Sequence, residues 1–185
     1  MGKGFRLSTS ITIQLAHTKS EYESAFRLLQ ESRERWGFSP CEGGDKLWLL
    51  THHALPSTNT IIALHKGRVV GAICMFGESP FQLPVESRLD LGAFRENLDG
   101  RLAELSLPGF HSDYADNADL RFALYHFAVC FGATYCHYDG FVTEAPFVWA
   151  KEFAKPLHYE KIYELVDGVV EKYGWKFKKL AIPEP

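Results

Sequence analysis

The stretch TIIALHKGRVVGAICMF, residues 60–76, decides how the rest of the chain is read. Its β-branched and apolar residues form two runs broken only at Lys66 and Gly67, the pattern of two antiparallel strands joined by a tight turn. Gly67 can take a positive φ at little cost, so the reversal falls there. Upstream, Ile11, Ile13 and Leu15 alternate with polar residues, as a strand with one buried face requires. Thr18 and Glu21 have the spacing of a capping box, and Tyr22, Ala25, Phe26 and Leu29 share one helical face, so a helix follows and runs toward Trp36. Residues 37–44 are turn-prone, and Pro56 makes 48–59 read as loop.

Downstream, residues 85–98 carry Leu89, Phe94 and Leu98 at helical spacing, and 101–107 read as a strand ended by Pro108 and Gly109. Asp116 or Asn117 caps a longer helix with Leu120, Leu124, Phe127, Ala128 and Phe131 facing the core and Gly132 as its stop. A short strand over 134–138 comes next, then a helix opened by Pro146 and carrying Phe147, Ala150, Phe153 and Ala154. A hairpin turning at Asp167 and Gly168, with a last strand in 175–182, completes the order. Strands and helices in this succession describe a mixed α/β sheet with helices packed on it.

A chain of 185 residues with 46% hydrophobic content suits one domain, residues 1–185, with a core that needs no staple. Net charge −3 and a pI near 6.2 exclude the overall basic field that nucleic-acid binding uses. Cys41, Cys74, Cys130 and Cys136 form no CxxC pair, so they read as reduced, mostly buried small hydrophobes rather than a zinc or redox motif. No segment approaches a membrane span and the first residues lack the apolar core of a signal peptide, which makes a cytoplasmic location the expectation.

Clusters that evoke metal or nucleophilic chemistry have plainer readings. His52 and His53 are neighbours that point apart in an extended segment, and read as loop histidines. His126 and Cys130 stand at i and i+4 on a helix, yet Phe127, Ala128 and Phe131 beside them favour packing, so no metal is expected. Cys136 and His137, as strand neighbours, face opposite ways and cannot form a working pair. Tyr135, Tyr138, Phe141, Phe147 and Trp149 are most simply core, with some of them free to line an acyl tunnel.

Three ordered pieces narrow the choice of fold. ALPSTNTIIALHKGRVVGAICMFGESPFQLPVES (54–87) and RLAELSLPGF (101–110), followed by 147–159, resemble the N-acyl amino acid synthases, a branch of the GNAT superfamily distantly like the acyl-homoserine-lactone synthases. The most particular matches are Ser79, Pro80, Leu83 and Pro84, then Ala103, Glu104 and Ser106; the resemblance spans roughly residues 22–159.

The resemblance implies a GNAT acyltransferase fold: a mixed, mostly antiparallel twisted sheet with a splayed central strand pair and helices on both faces. It implies an N-acyltransferase that moves an acyl group from a pantetheine thioester, acyl-ACP or acyl-CoA, to the amine of an amino acid or similar acceptor. Glu104 falls at the family's acidic strand position and is the expected general base or amine-orienting residue, with Ser106 as a positioning residue. Leu105, Leu107 and Phe110 would border the slot for the pantetheine arm.

The chain departs from the pattern in three places. Leu107 stands where the family usually has Arg, and Pro108 carries no amide. HSDYADNADL, residues 111–120, lacks the glycines that grip a pyrophosphate at a helix N-terminus and carries Asp113, Asp116 and Asp119 instead. That charge disfavours free CoA and favours an acyl carrier protein, for which Arg88, Arg95, Arg101 and Arg121 could form a landing surface. The tyrosine that many GNAT enzymes use as an acid aligns with Phe153 or Ala150. The alternatives are an ordinary short-chain acyl-CoA acetyltransferase and a GNAT module that binds without chemistry.

Overall fold

The computed structural model describes residues 10–36, 50–87, 90–96, 98, 100–145, 159–167 and 170–177. Thr58–His65 (β2) and Arg68–Gly77 (β3) pair antiparallel, and Lys66 and Gly67 between them take φ of 51° and 76°, the positive values a tight hairpin needs. Ile11–Leu15 (β1) adds to the outer edge of β2. Lys19–Arg35 (α1) follows at once. The Thr18 hydroxyl accepts from the Glu21 amide, while the Glu21 carboxylate accepts from the amides of His17 and Thr18 at 2.8 and 2.9 Å. Those amides hold the Glu21 carboxyl below the usual carboxylate range.

The remaining strands are Leu102–Leu105 (β4), Gly109–Phe110 (β5), Gly140–Ala145 (β6), Tyr159–Asp167 (β7) and Val170–Phe177 (β8). They complete one sheet in the order β1-β2-β3-β4-β6-β8-β7, with β5 also paired to β3. Among the described strands β4 and β6 are the parallel pair; the other pairings are antiparallel. The connection between them is Ala118–Tyr135 (α3), capped by the Asn117 side chain, which accepts from the Leu120 amide. A parallel pair requires such a crossover.

Residue alternation divides the core between the two faces. Ile62, Ala72, Cys74, Phe76 and Leu102 pack against Ala25 and Leu29 of α1, and against Leu83, Val85 and Leu91. Ile61, Ile73, Met75, Ala103 and Leu105 pack against Leu120, Leu124 and Ala128 of α3. Helices therefore cover both faces, as expected.

Several local expectations are corrected. Residues 85–98 are not one helix: a single 3-10 turn, Pro84–Ser87, is separated from Gly92–Glu96 (α2), whose start is set by the Asp90 carboxylate accepting from the Gly92 amide at 2.8 Å. Pro108 and Gly109 do not end the pairing of the expected strand, because the chain rejoins β3 at β5. Gly109 is needed there for close approach, since a Cβ would strike the Leu28 backbone, and the Ser32 hydroxyl donates to the Pro108 carbonyl at 2.8 Å.

Gly132 likewise does not stop its helix. A Cβ at that position would lie 2.7 Å from the Phe141 ring and 2.8 Å from the Met75 sulfur, so the glycine serves the approach of α3 to the sheet while the helix runs on to Tyr135. The strand expected over 134–138 is consequently helix end and turn, and the strand itself starts at Gly140. Cys136 and His137 lie in that turn, His137 at φ 55°. Tyr135 is 73% exposed rather than core, whereas Tyr138 and Phe141 are buried edge to face. Trp175 belongs to β8 and opens no further strand. Cys41, Arg88, Leu89 and the helix expected from Pro146, with Phe147, Trp149, Ala150, Phe153 and Ala154, lie outside the described residues, as does Gly168.

Candidate active site

The site begins where β4 leaves β6. Their pairing runs from Leu102↔Gly140 to Leu105↔Thr143, after which the Ser106 amide donates to the Cys74 carbonyl of β3 at 2.8 Å. From Val142 onward β6 pairs on its other side with β8. The two parallel strands thus part beyond Leu105. Amides alternate sides along an extended chain, so with Ser106 committed to β3 the Leu107 amide points toward the gap, and no described group accepts from it. Pro108 brings no amide to the same place.

Above this point, on the α1 face, a cleft of about 230 Å³ opens between the end of α1, the turn Thr51–Ala54 and the 81–87 segment. Glu104 and Ser106 form its floor, by the same alternation that sends Ala103 and Leu105 to the α3 side. Glu104 is only 5% exposed, and its Oε2 accepts from the Val85 amide at 2.6 Å. A carboxylate so deep is held by charge-assisted bonds or not at all.

Ser106 is 3% exposed; its hydroxyl accepts from the Cys74 amide at 2.9 Å and donates to the Leu107 carbonyl at 3.3 Å. Its proton and one lone pair are therefore engaged with main chain. Leu107 lines the cleft beside them. Leu105 is fully buried in the α3-side core, and Phe110 is buried there too, paired with Gly71 of β3. The structure brings Glu104 and Ser106 together on the cleft floor and sets the side chains of Leu105, Leu107 and Phe110 in the α3-side core, so that Leu107 only borders the cleft.

Two cleft residues escape sequence reasoning. Arg33, half-buried in the last turn of α1, lines the mouth, and nothing in its neighbours' pattern marks it out. His52 sits on a 3-10 turn rather than an extended segment, and its Nε2 meets the Gln82 carbonyl at 3.1 Å. His53 packs its ring edgewise against Phe26 and Phe76 while its Nδ1 accepts from the Leu50 amide at 2.8 Å. Burial pushes the His53 pKa down from 6.5 to about 4.

The cleft's far wall is pinned from outside. The Glu86 carboxylate accepts from the Leu83 amide at 2.7 Å, and the Arg95 guanidinium joins Glu86 at 3.0 Å and also Glu78. The hydrogen bonds Arg95 donates to these carboxylates, that to Glu86 first, push its pKa up. Arg95 is therefore a structural clasp and not part of an open basic surface. Arg121 is corrected likewise: it is buried, with Nη1 donating to the Ala115 carbonyl at 3.3 Å. Arg101 donates to the Cys136 carbonyl at 2.9 Å and lies 4.9 Å from the Tyr138 ring centre.

Ahead of α3, the amides of Tyr114, Ala115 and Asn117 donate to carbonyls within the 111–117 loop, and that of Asp113 donates to the His111 ring. Among the described residues no three His, Cys, Asp or Glu side chains are placed to hold a metal, and no helix is long and apolar enough to cross a membrane. His126 and Cys130 do approach, at 3.7 Å, with the His126 ring stacked on Phe122.

A twisted mixed sheet whose parallel pair separates beside a buried carboxylate, with helices on both faces, is the fold of the GNAT acyltransferases. FeeM, an N-acyl amino acid synthase from uncultured soil microbes, superposes with a TM-score of 0.72 at 18% identity, over 91% of this chain and 90% of its own. Spermidine N-acetyltransferase from Vibrio cholerae, in complex with CoA and spermine, gives 0.64 at 11% identity over 93% and 97%. A histone acetyltransferase HPA2-related acetyltransferase from Corynebacterium glutamicum gives 0.60 at 14% over 95% and 100%. No curated protein sequence matches. The family model of the N-acyl amino acid synthase FeeM matches residues 24–164, and the chain belongs to that family; it is an N-acyltransferase.

Proposed function

We propose that this enzyme transfers an acyl group from a carrier-protein pantetheine thioester to the amine of an amino acid or similar acceptor, with Glu104 as the base. The observation that carries this reading is the position of Glu104: a buried carboxylate, anchored by the Val85 amide, between an acceptor-sized cleft and the gap between β4 and β6. The amine reaches the cleft as an ammonium and surrenders one proton to solvent before it can attack; a second leaves nitrogen once the C–N bond has formed. Its lone pair then forms the C–N bond to the thioester carbon, negative charge gathers on the carbonyl oxygen, and the C–S bond breaks. The proton shed by nitrogen passes to Glu104, directly or through one water, and reaches the departing thiolate. The Leu107 amide, directed at the gap, is the donor suited to the transient oxyanion.

Carrier protein rather than free CoA is favoured by the 111–117 loop. Asp113 and Asp116 would repel a pyrophosphate, and the amides of Asp113, Tyr114, Ala115 and Asn117 already have acceptors within the loop. A carrier introduces only the pantetheine arm into the gap. Two parallel reactions test the proposal: hexanoyl carrier protein and hexanoyl-CoA, each with a panel of amino acids, analysed for N-hexanoyl products by mass spectrometry. Product is expected from the carrier thioester. Efficient turnover of the CoA thioester with none from the carrier would reverse the donor assignment, and no amide from either would overturn the reading.

A further inference from the structure

The β2–β3 hairpin closes on the pair His65 and Arg68, and each of these residues reaches a ring in the loop that leads from β5 into α3. The His65 Nδ1 meets the Tyr114 hydroxyl, and the Arg68 Nη2 donates to the His111 Nε2 at 2.7 Å. The Tyr114 ring stands edge to face with both imidazoles, 5.8 Å from His65 and 6.5 Å from His111. Residues 111–114 are therefore tied to the hairpin by two side-chain contacts, one through each histidine. The main chain adds the His111 amide, which donates to the Val70 carbonyl at 3.0 Å.

The two ties respond differently to a proton. A hydroxyl both donates and accepts, so Tyr114 can donate to a neutral His65 and accept from a charged one. A guanidinium only donates, so Arg68 needs a lone pair on His111. So does the Asp113 amide, which meets the His111 Nδ1 at 3.3 Å. A neutral imidazole presents its lone pair to one of these donors, and an imidazolium presents none. Charged, the His111 ring would hold its cation 2.7 Å from a guanidinium nitrogen, while the Asp113 Oδ2, 3.4 Å from Nδ1, attracts it. The other charged groups around the ring, among the described residues, are Arg27 and Glu31 of α1, which line a cavity of about 280 Å³ shared with Arg68 and His111. Glu31 offers Arg68 an alternative partner once His111 stops accepting.

We propose that His111 is a proton-operated clasp: neutral, it ties the 111–114 loop to the hairpin through Arg68; charged, it drops Arg68, turns to Asp113 and loosens the loop from β3. Histidine is the side chain whose charge ordinarily changes between about pH 5 and 8, and the His111 ring is partly exposed, open to protons from solvent. The sheet takes no part in the movement, because the His111 amide stays paired with Val70 and the Asn117 side chain still caps α3. The clasp stands apart from the acyl-transfer reading and from the cleft at Glu104, and its test needs no substrate.

Hydrogen exchange of the full chain, followed by mass spectrometry at pH 7.5 and 5.5 and corrected for the intrinsic rate at each pH, reads the clasp in peptides covering residues 111–117. The Tyr114, Ala115 and Asn117 amides there have acceptors inside the loop. Wild-type protection of this segment is expected to fall roughly two- to tenfold at the lower pH, the worth of one partly exposed hydrogen bond, while peptides from the interior of α3 change less than about twofold. His111→Gln is expected to abolish the step, because its carboxamide oxygen accepts from Arg68 at either pH. Arg68→Met is expected to lower protection already at pH 7.5 and to leave no step. His65→Gln is expected to keep the step. No step in the wild type, a step that survives in His111→Gln or Arg68→Met, its loss in His65→Gln, or an equal loss of protection throughout α3 would overturn the proposal.

Discussion

Replacing Glu104 by Gln separates the catalytic role proposed for this residue from its part in the architecture. The side chain keeps its shape, and its amide oxygen can still accept from the Val85 N–H that now meets Oε2 at 2.6 Å. Changing a charged acceptor to a neutral one weakens that bond by about 1 kcal/mol. Against this, the variant no longer holds a charge in a site that is 5% exposed, which relieves a desolvation cost of several kcal/mol per ion that the native contacts offset only in part. The two changes oppose each other, so guanidinium unfolding midpoints should agree within about 1 kcal/mol of stability. Activity has no such compensation. Loss of a general base costs about 10²–10⁴ in kcat, or roughly 3–5 kcal/mol of barrier. Glu104→Ala is the contrasting variant: it strips the Val85 amide of its acceptor and should cost a further 1–3 kcal/mol of stability, roughly. A Glu104→Gln enzyme that folds normally and turns over within threefold of the wild type would refute the role given to this carboxylate.

Other outcomes follow from the surrounding packing. Ser106→Ala is expected to lower kcat by less than about tenfold, because the hydroxyl is engaged with Cys74 and Leu107 main chain, but to destabilise by roughly 1–3 kcal/mol as the buried Cys74 amide loses its acceptor; thermal melts and initial rates check both. His53 has its folded pKa pushed down from 6.5 to about 4, so the unfolded chain binds the proton more readily and stability present above pH 6.5 is lost as pH falls toward 4. By linkage the loss approaches about 3 kcal/mol, and His53→Asn, in urea melts at pH 7 and 4.5, should show a smaller difference than the wild type. Gly132→Ala should destabilise by about 1–3 kcal/mol despite alanine's better helix propensity, since its Cβ meets the Phe141 ring and the Met75 sulfur; a higher melting temperature would contradict the close approach described for α3.

The parts of the fold legible in the sequence were those governed by neighbours in the chain. The Thr18 capping box, the alternation in β1 and the two apolar runs reversing at Lys66–Gly67 are local patterns, and each formed where its residues predicted. Glycine was misread wherever its reason was tertiary. Gly132 and Gly109 look like punctuation in the sequence, yet one admits a sheet against a helix and the other a helix against a strand. The expected helix over 85–98 failed for one local and one nonlocal reason: Asp90 starts a new turn at Gly92, and Arg95 reaches back to Glu78 and Glu86. Of the residues that line the candidate cleft, Glu104 and Ser106 were legible because they lie on one strand within a recognisable motif. Arg33 and His52 come from other elements, and only the folding of α1 and the 51–54 turn over β4 brings them to the same cleft.

The same geometry bears on whether the acyl group passes directly between substrates or rests on the enzyme. A covalent intermediate needs a nucleophile with a free lone pair near the thioester. Ser106 has its hydroxyl bonded on both sides by main chain. Cys74 is fully buried beneath it, its thiol pushed up to about 12 by desolvation, and a thiol in that state is inert. Glu104 and the Leu107 amide, in contrast, are directed to two separate openings, the cleft on the α1 face and the gap in the plane of the sheet. Two openings allow both substrates to be bound at once, and the role proposed for Glu104 is then only to move a proton between nitrogen and sulfur. Direct transfer within a ternary complex is the route this arrangement of groups supports, with the enzyme contributing position and charge rather than a covalent bond.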